Sequence, residues 1–188
     1  GVFFVYIARR VPELHVRRED WRLSWSFLRM HLAIGLPMGF KATIIAFGAV
    51  ILQVALNGLG AVPVAAYAAA QKVDTIAMMP MMSFGAAMAA YTAQNYGAGK
   101  FSRIRTGVQA CCRMSVGFSL AAGAFVIAAG PYLMELFVGT GEAEAIRRGQ
   151  TYFLVNGLTY WILSLLFIFR YTLQGLGQSI VPTVAGVM

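Results

Sequence analysis

Charge is scarce in this chain: of its 188 residues, 15 are Lys or Arg and 7 are Asp or Glu, 12% in all, where a water-soluble domain carries about 25%. So few charges exclude an ordinary hydrated surface. Cysteine is scarcer still, with Cys111 and Cys112 adjacent in an apolar stretch, which excludes a disulfide framework because neighbouring cysteines bridge only with strain. They read as small packing residues. Both histidines, His15 and His31, fall in or beside a polar linker, and no His or Cys stands at metal-ligand spacing. A Ser/His/Asp set, a phosphate loop and paired carboxylates are all missing, so neither catalysis nor a bound cofactor or metal is expected.

What is abundant is apolar. The chain is 59% hydrophobic with a mean hydropathy of +0.69, and its apolar residues arrive in blocks of roughly 20 or more, each able to cross ~30 Å of hydrocarbon at about 1.5 Å per residue. The expected fold is all-α: a polytopic transmembrane helix bundle, multi-pass in the inner membrane, with membrane lipid as its main partner. The net charge of +8 does not imply nucleic acid, because the basic residues cluster between apolar blocks and form no continuous face with interleaved aromatics.

Residues 1–8 read as the end of a preceding transmembrane helix, 9–24 as a polar linker with five arginines, and 25–188 as the bundle. Within the bundle, full spans are expected at about 25–57, 62–96, 104–137 and 151–174, followed by the start of another. Gly58-Leu59-Gly60 makes an uncharged turn, 139–150 a polar loop, and Gly175-Leu176-Gly177 a glycine-capped stop. Placing the arginine-rich linker in the cytoplasm also puts Lys100, Arg103 and Arg105 inside, as the positive-inside rule requires.

Small residues mark the faces where helices approach closely in lipid. One stripe runs through Gly35, Gly39, Ala42, Ala46 and Ala49, another through Ser115, Ser119 and Gly123. Pro37 interrupts the first span; it removes a backbone hydrogen bond and reads equally as a hinge or as a static kink.

Ionisable groups within a span cost about 2.5–3.5 kcal/mol each on insertion scales and therefore face a cavity or a partner. Asp74 is the one carboxylate well inside a predicted span, with Lys41 at a comparable depth and Lys72 two residues away on a different helical face. Two readings stay open: a cation or proton site on Asp74, or a neutralised structural pair with Lys41. The face of Asp74 continues through Met78, Met81, Gly85, Met88 and Thr92; it is either a soft wall for dissimilar apolar cations or plain core filling. In the last full span Asn156, Tyr160, Leu163, Phe167, Arg170 and Gln174 form a mixed face. Either this face lines a wet cavity, or Arg170 and Gln174 snorkel to the interface; Asn156 and Tyr160 lie nearest the middle.

Several ordered motifs resemble one family. Gly35-Leu36-Pro37-Met38-Gly39, Asn57-Gly58-Leu59-Gly60 with Ala65-Ala66-Tyr67, Lys72-Val73-Asp74, Met79-Pro80-Met81-Met82-Ser83-Phe84-Gly85 and Gln94-Asn95-Tyr96-Gly97-Ala98-Gly99-Lys100 are similar to the seventh and eighth helices of multidrug and toxic compound extrusion (MATE) transporters. Phe169-Arg170-Tyr171-Thr172-Leu173-Gln174-Gly175-Leu176-Gly177-Gln178 is similar to the tenth. The resemblance implies a MATE-like half-lobe running from the end of the sixth helix to the start of the eleventh, with residues 9–24 joining it to an N-terminal lobe of the same protein. It also implies secondary active efflux: antiport of small-molecule organic cations or drugs by alternating access, driven by Na+ or H+ as coupling ion. One branch of the family carries coupling carboxylates about where Ile45 and Leu163 stand here, and neither can ligate a cation. Competing readings are a lipid-linked saccharide flippase of the same superfamily and a non-transporting membrane scaffold. Only Lys41, Lys72 and Arg113 lie well inside the spans as basic groups, which disfavours a pyrophosphate-binding flippase.

Overall fold

The computed structural model of the chain describes residues 24–139 and 141–178, Ile34 by its backbone only. The expected partial helices at 1–8 and 181–188, and linker residues 9–23, lie outside the described residues. The described part is all-α, with four helices: α1 (Trp25–Asn57), α2 (Ala61–Gly97), α3 (Phe101–Val138) and α4 (Ala143–Gly175). Each is long and apolar enough to cross a membrane, and at 33 to 38 residues each measures about 50–57 Å. That exceeds the ~30 Å hydrocarbon core, so the helix ends reach into the polar layers. The chain is a multi-pass membrane protein.

Two compact units divide at Gly39 and Phe40, inside α1. In the first, Trp25, Arg29, Leu32, Ala33, Leu36 and Pro37 border a shallow groove along one helix. The second holds α2, α3 and α4, with α4 packed along both of the others. Its core is built from Ala66, Ala69, Ala70, Val73 and Met81 of α2, Val126 and Met134 of α3, and Ala145, Phe153, Tyr160 and Phe167 of α4. Large side chains alternate with alanine and glycine because, between helices surrounded by lipid, close packing is the main source of attraction.

Two helices approach closely at Gly123 of α3 and Gly157 of α4, where a Cβ on Gly123 would run into the carbonyl oxygen of Gly157. Here the small stripe expected on α3 meets a backbone, and its members Ser115 and Ser119 are fully buried beside it. The stripe on α1 differs. Ala42, Ala46 and Ala49 are exposed, and a Cβ on Gly35 or Gly39 would meet nothing within 4 Å. Apart from Lys41, the described side chains of α1 are exposed or half-buried.

A second device joins α3 to α4. Pro131 has no N–H, so the carbonyl four residues earlier, Ile127, loses its helical partner. Gln150 of α4 supplies the replacement, its Nε2 donating to the Ile127 oxygen at 2.8 Å. Gly130 makes room for that amide, since a Cβ there would collide with Gln150 Oε1.

Helix α4 begins eight residues earlier than the expected span, at Ala143. The polar stretch that reads as loop is two helical turns with one wet and one packed face. Glu144 and Arg148 pair at 2.6 Å across one turn, while Ala145 and Gly149 are buried on the other side. A polar helix end beyond the hydrocarbon has no apolar block to announce it. The other end closes as expected, with Gly177 at φ 78° in the left-handed conformation that glycine adopts without strain.

Candidate functional site

The centre of the α2–α4 seam is polar. Asp74, about 20 Å along α2 from Ala61 at 1.5 Å per residue, is buried with 6% of its surface exposed. Two phenols of α4 answer it. Tyr160 donates to Oδ1 at 2.5 Å, and Tyr152 points its hydroxyl at Oδ2 from 3.4 Å. Tyr160 is 1% exposed, whereas Tyr152 is half-buried and stacks edge-on against Tyr67 of α2 with ring centroids 5.9 Å apart. Burial of an ionised carboxylate is tolerable only with such donors.

The residues singled out in the sequence separate into two groups. Asp74 and Tyr160 are brought into direct contact. Asn156 lies between the two tyrosines on α4, half-buried, and its Nδ2 donates back to the Tyr152 carbonyl at 3.0 Å. Met81 and Met88 continue the Asp74 face inside the packed seam, 0% and 4% exposed, and Met78 is half-buried. Gly85, on the same face, lies against the Tyr171 ring, and Gly175 lies against Thr92 and the Ala89 carbonyl. This stretch is occupied by helix packing, with little room left beside the two buried methionines.

Two of the basic residues lie over aromatic rings. Lys72 is exposed, its Nζ 5.8 Å from the centroid of Phe137 on α3. Arg170 is half-buried and sits 5.5 Å from the Phe167 ring and 5.4 Å from the Tyr171 ring, a cation–π arrangement at the far end of the seam. Lys41 is 9% exposed and lies within electrostatic range of Arg170. Pro37 is half-buried within α1. Ile45 is exposed and Leu163 half-buried.

Tyr152 is the neighbour of Asp74 that the sequence reading missed. Its signal was present: Tyr152, Asn156 and Tyr160 are spaced four and four, which keeps them on one face of α4. The polar stretch before residue 151 drew attention away, because it placed Tyr152 at the edge of a span instead of two turns inside a helix.

A cavity of about 170 Å³ adjoins this cluster, lined by Leu56, Leu59, Pro63, Tyr67, Arg148 and Tyr152 among others. It lies where the last turn of α1 and the starts of α2 and α4 come together. Tyr152 thus meets both the carboxylate and the cavity.

Comparison with known proteins points one way. The family model described as MatE matches residues 37–188. A probable multidrug resistance protein, YpnP of Bacillus subtilis (strain 168), is 26% identical over 152 residues, covering 81% of this chain and 33% of that protein. A solved structure described as MATE in complex with MaL6 superposes with a TM-score of 0.86 at 17% identity, covering 99% of this chain and 42% of the other. The chain therefore spans about a third of the curated relative's length and about two fifths of the solved one's.

Proposed function

This chain belongs to the MatE family, and from that premise we propose that it forms part of a secondary active exporter that moves organic cations or drugs outward in exchange for an inward-moving Na+ or H+. The observation that carries this reading is the Asp74 carboxylate, buried between two helices with a phenol hydroxyl facing each of its oxygens. A buried acid supported in this way can hold a negative charge until a small cation neutralises it, which is what coupling requires. The seam that surrounds it is built of small residues and methionine, which repack readily.

In this reading the turn at Gly58–Gly60 and the start of α4 face away from the cytoplasm, and Lys100, Arg103 and Arg105 face into it. An N-terminal lobe of the same protein supplies the second wall of the translocation path, and the exposed apolar face of α1 meets that lobe or lipid. The relative from Bacillus subtilis, a probable multidrug resistance protein by its description, supports a drug-like cargo.

The test is an efflux assay on the full-length gene in a host lacking its own pumps, with pH and sodium varied independently. Expression should lower accumulation of lipophilic cationic dyes, and Asp74→Asn should abolish that effect while the protein is still made and inserted. Unchanged accumulation of every cation tried would overturn the exporter reading. Full activity of Asp74→Asn would remove Asp74 as the coupling group.

A further inference from the structure

The two oxygens of Asp74 are not equivalent. Oδ1 is held by Tyr160, which has no access to the surface at 1% exposure. Oδ2 faces Tyr152 across 3.4 Å, a long contact for an O–H donor, and Tyr152 is among the residues that line the 170 Å³ cavity. One phenol locks the carboxylate; the other stands between it and an opening.

The charges around this arrangement decide what can pass. Arg148 lines the cavity and is tied to Glu144 of the same helix by Nη2 at 2.6 Å and Nε at 3.0 Å. Lys72, on α2 itself, is directed to Phe137. From α3 the core receives the apolar Val126 and Met134. From α1, Leu56 reaches the cavity, and the buried Lys41 is in range of Arg170. Tyr67 stands against Tyr152. A metal cation taking this route would have to shed water past an arginine and a wall of leucine and proline. At Asp74 it would meet one carboxylate and two phenols that already donate their hydrogens, whereas a hard cation takes about six oxygen ligands. A proton needs only an unbroken chain of hydroxyls.

We infer that Tyr152 is a proton relay that connects the cavity to Asp74 Oδ2, and that the ion taken up at this site is a proton. The inference rests on Asp74 as the coupling group. In the loading step a hydronium in the cavity gives a proton to the Tyr152 oxygen, forming one O–H bond. The original phenol O–H breaks as its proton passes to Oδ2, and the carboxylate becomes a neutral acid. The new Oδ2–H then donates to the Tyr152 oxygen, the reverse of the starting hydrogen bond, and unloading runs the same transfers backwards. Tyr152 ends unchanged, and the net event is one proton moved from cavity water to Asp74.

The experiment uses the full-length protein in proteoliposomes, with proton uptake followed by a pH dye after an acid jump on the cavity side and dye transport measured in parallel. Tyr152→Phe keeps the ring and its contact with Tyr67 but removes the relay. It should slow uptake by at least about tenfold, in the range that a positioned proton carrier contributes, while the number of protons taken up at equilibrium stays the same. A packing defect would lower that number or the yield of monodisperse protein as well, and such a result would count against the relay. In a second arm Leu59→Cys, at the exposed mouth, is modified with a bulky impermeant thiol reagent, and uptake should fall by a similar factor. If Tyr152→Phe and modified Leu59→Cys both load protons at the unmodified rate while Asp74→Asn has lost uptake, the relay is wrong and the coupling role of Asp74 stands. If Asp74→Asn still takes up its proton, both fall. Uptake driven by sodium and indifferent to pH would also overturn the relay.

Discussion

Gln150 on α4 donates its Nε2 hydrogen to the carbonyl oxygen of Ile127 on α3 at 2.8 Å, and that oxygen is the one left unpaired by Pro131. A proline in one helix is thereby satisfied by a side chain of the next. In lipid there is no water to take over the task, so the proline and the glutamine are coupled through one carbonyl.

Replacing either partner should show this coupling. Gln150→Leu strands the Ile127 carbonyl and should cost about 1–3 kcal/mol. Pro131→Ala returns the missing N–H to α3, and in that background Gln150→Leu should cost much less. The measurement is a double-mutant cycle of unfolding of the full-length protein in detergent. Additive costs would show that the 2.8 Å contact does not serve the proline.

The Gly123–Gly157 crossing makes a sharper demand. Gly123→Ala puts a methyl group into the Gly157 carbonyl, and backbone cannot step aside as a flexible side chain can. Overpacking of this kind costs about 1–3 kcal/mol and occasionally more. Gly117→Ala, on the same helix with nothing within 4 Å of its added Cβ, is the matched control and should be neutral or slightly stabilising. Thermal aggregation midpoints of the two variants should separate by several degrees, and equal midpoints would mean that α3 and α4 are farther apart than described.

The four spans and the all-α architecture were legible because apolar blocks of membrane length have few other uses. Helix α1 begins and ends at the expected residues, and the expected α3 stripe does meet α4. Packing partners were not legible. Nothing in the spacing of Ser115, Ser119 and Gly123 says which helix will approach, and the equally regular stripe from Gly35 to Ala49 is exposed at Ala42, Ala46 and Ala49. Asp74 stood out as a carboxylate in an apolar run, and Tyr160 as a polar ring near mid-span. Their contact joins residues 86 positions apart, which local pattern cannot supply.

The two phenols on Asp74 should not be interchangeable. Tyr160→Phe removes a buried donor and leaves Oδ1 facing a ring edge in a dry seam, so the folded protein should lose about 1–3 kcal/mol. Asp74→Asn keeps the shape and can still accept from Tyr160, so its cost in stability should be the smaller of the two while its effect on transport is the larger. The opposite order in stability would indicate that the Asp74 charge is paired chiefly with a group other than these hydroxyls. Unfolding midpoints and dye efflux measured on the same preparations provide the comparison.

Orientation in the membrane follows from the loops and can be checked without any transport assay. The α2–α3 turn carries Lys100, Arg103 and Arg105, while the start of α4 carries acidic and basic residues in balance, Glu142 and Glu144 with Arg147 and Arg148. The excess of positive charge should hold the first in the cytoplasm. With Cys111 and Cys112 replaced by serine, single cysteines at Ser102 and at Glu142, both exposed, report the two sides. An impermeant thiol reagent added to intact cells should label Glu142→Cys, and should reach Ser102→Cys only after the cells are opened. The reverse pattern would place the Tyr152 cavity on the cytoplasmic face. An inward proton gradient would then empty Asp74 through that opening instead of filling it, and the relay would serve proton release instead of loading.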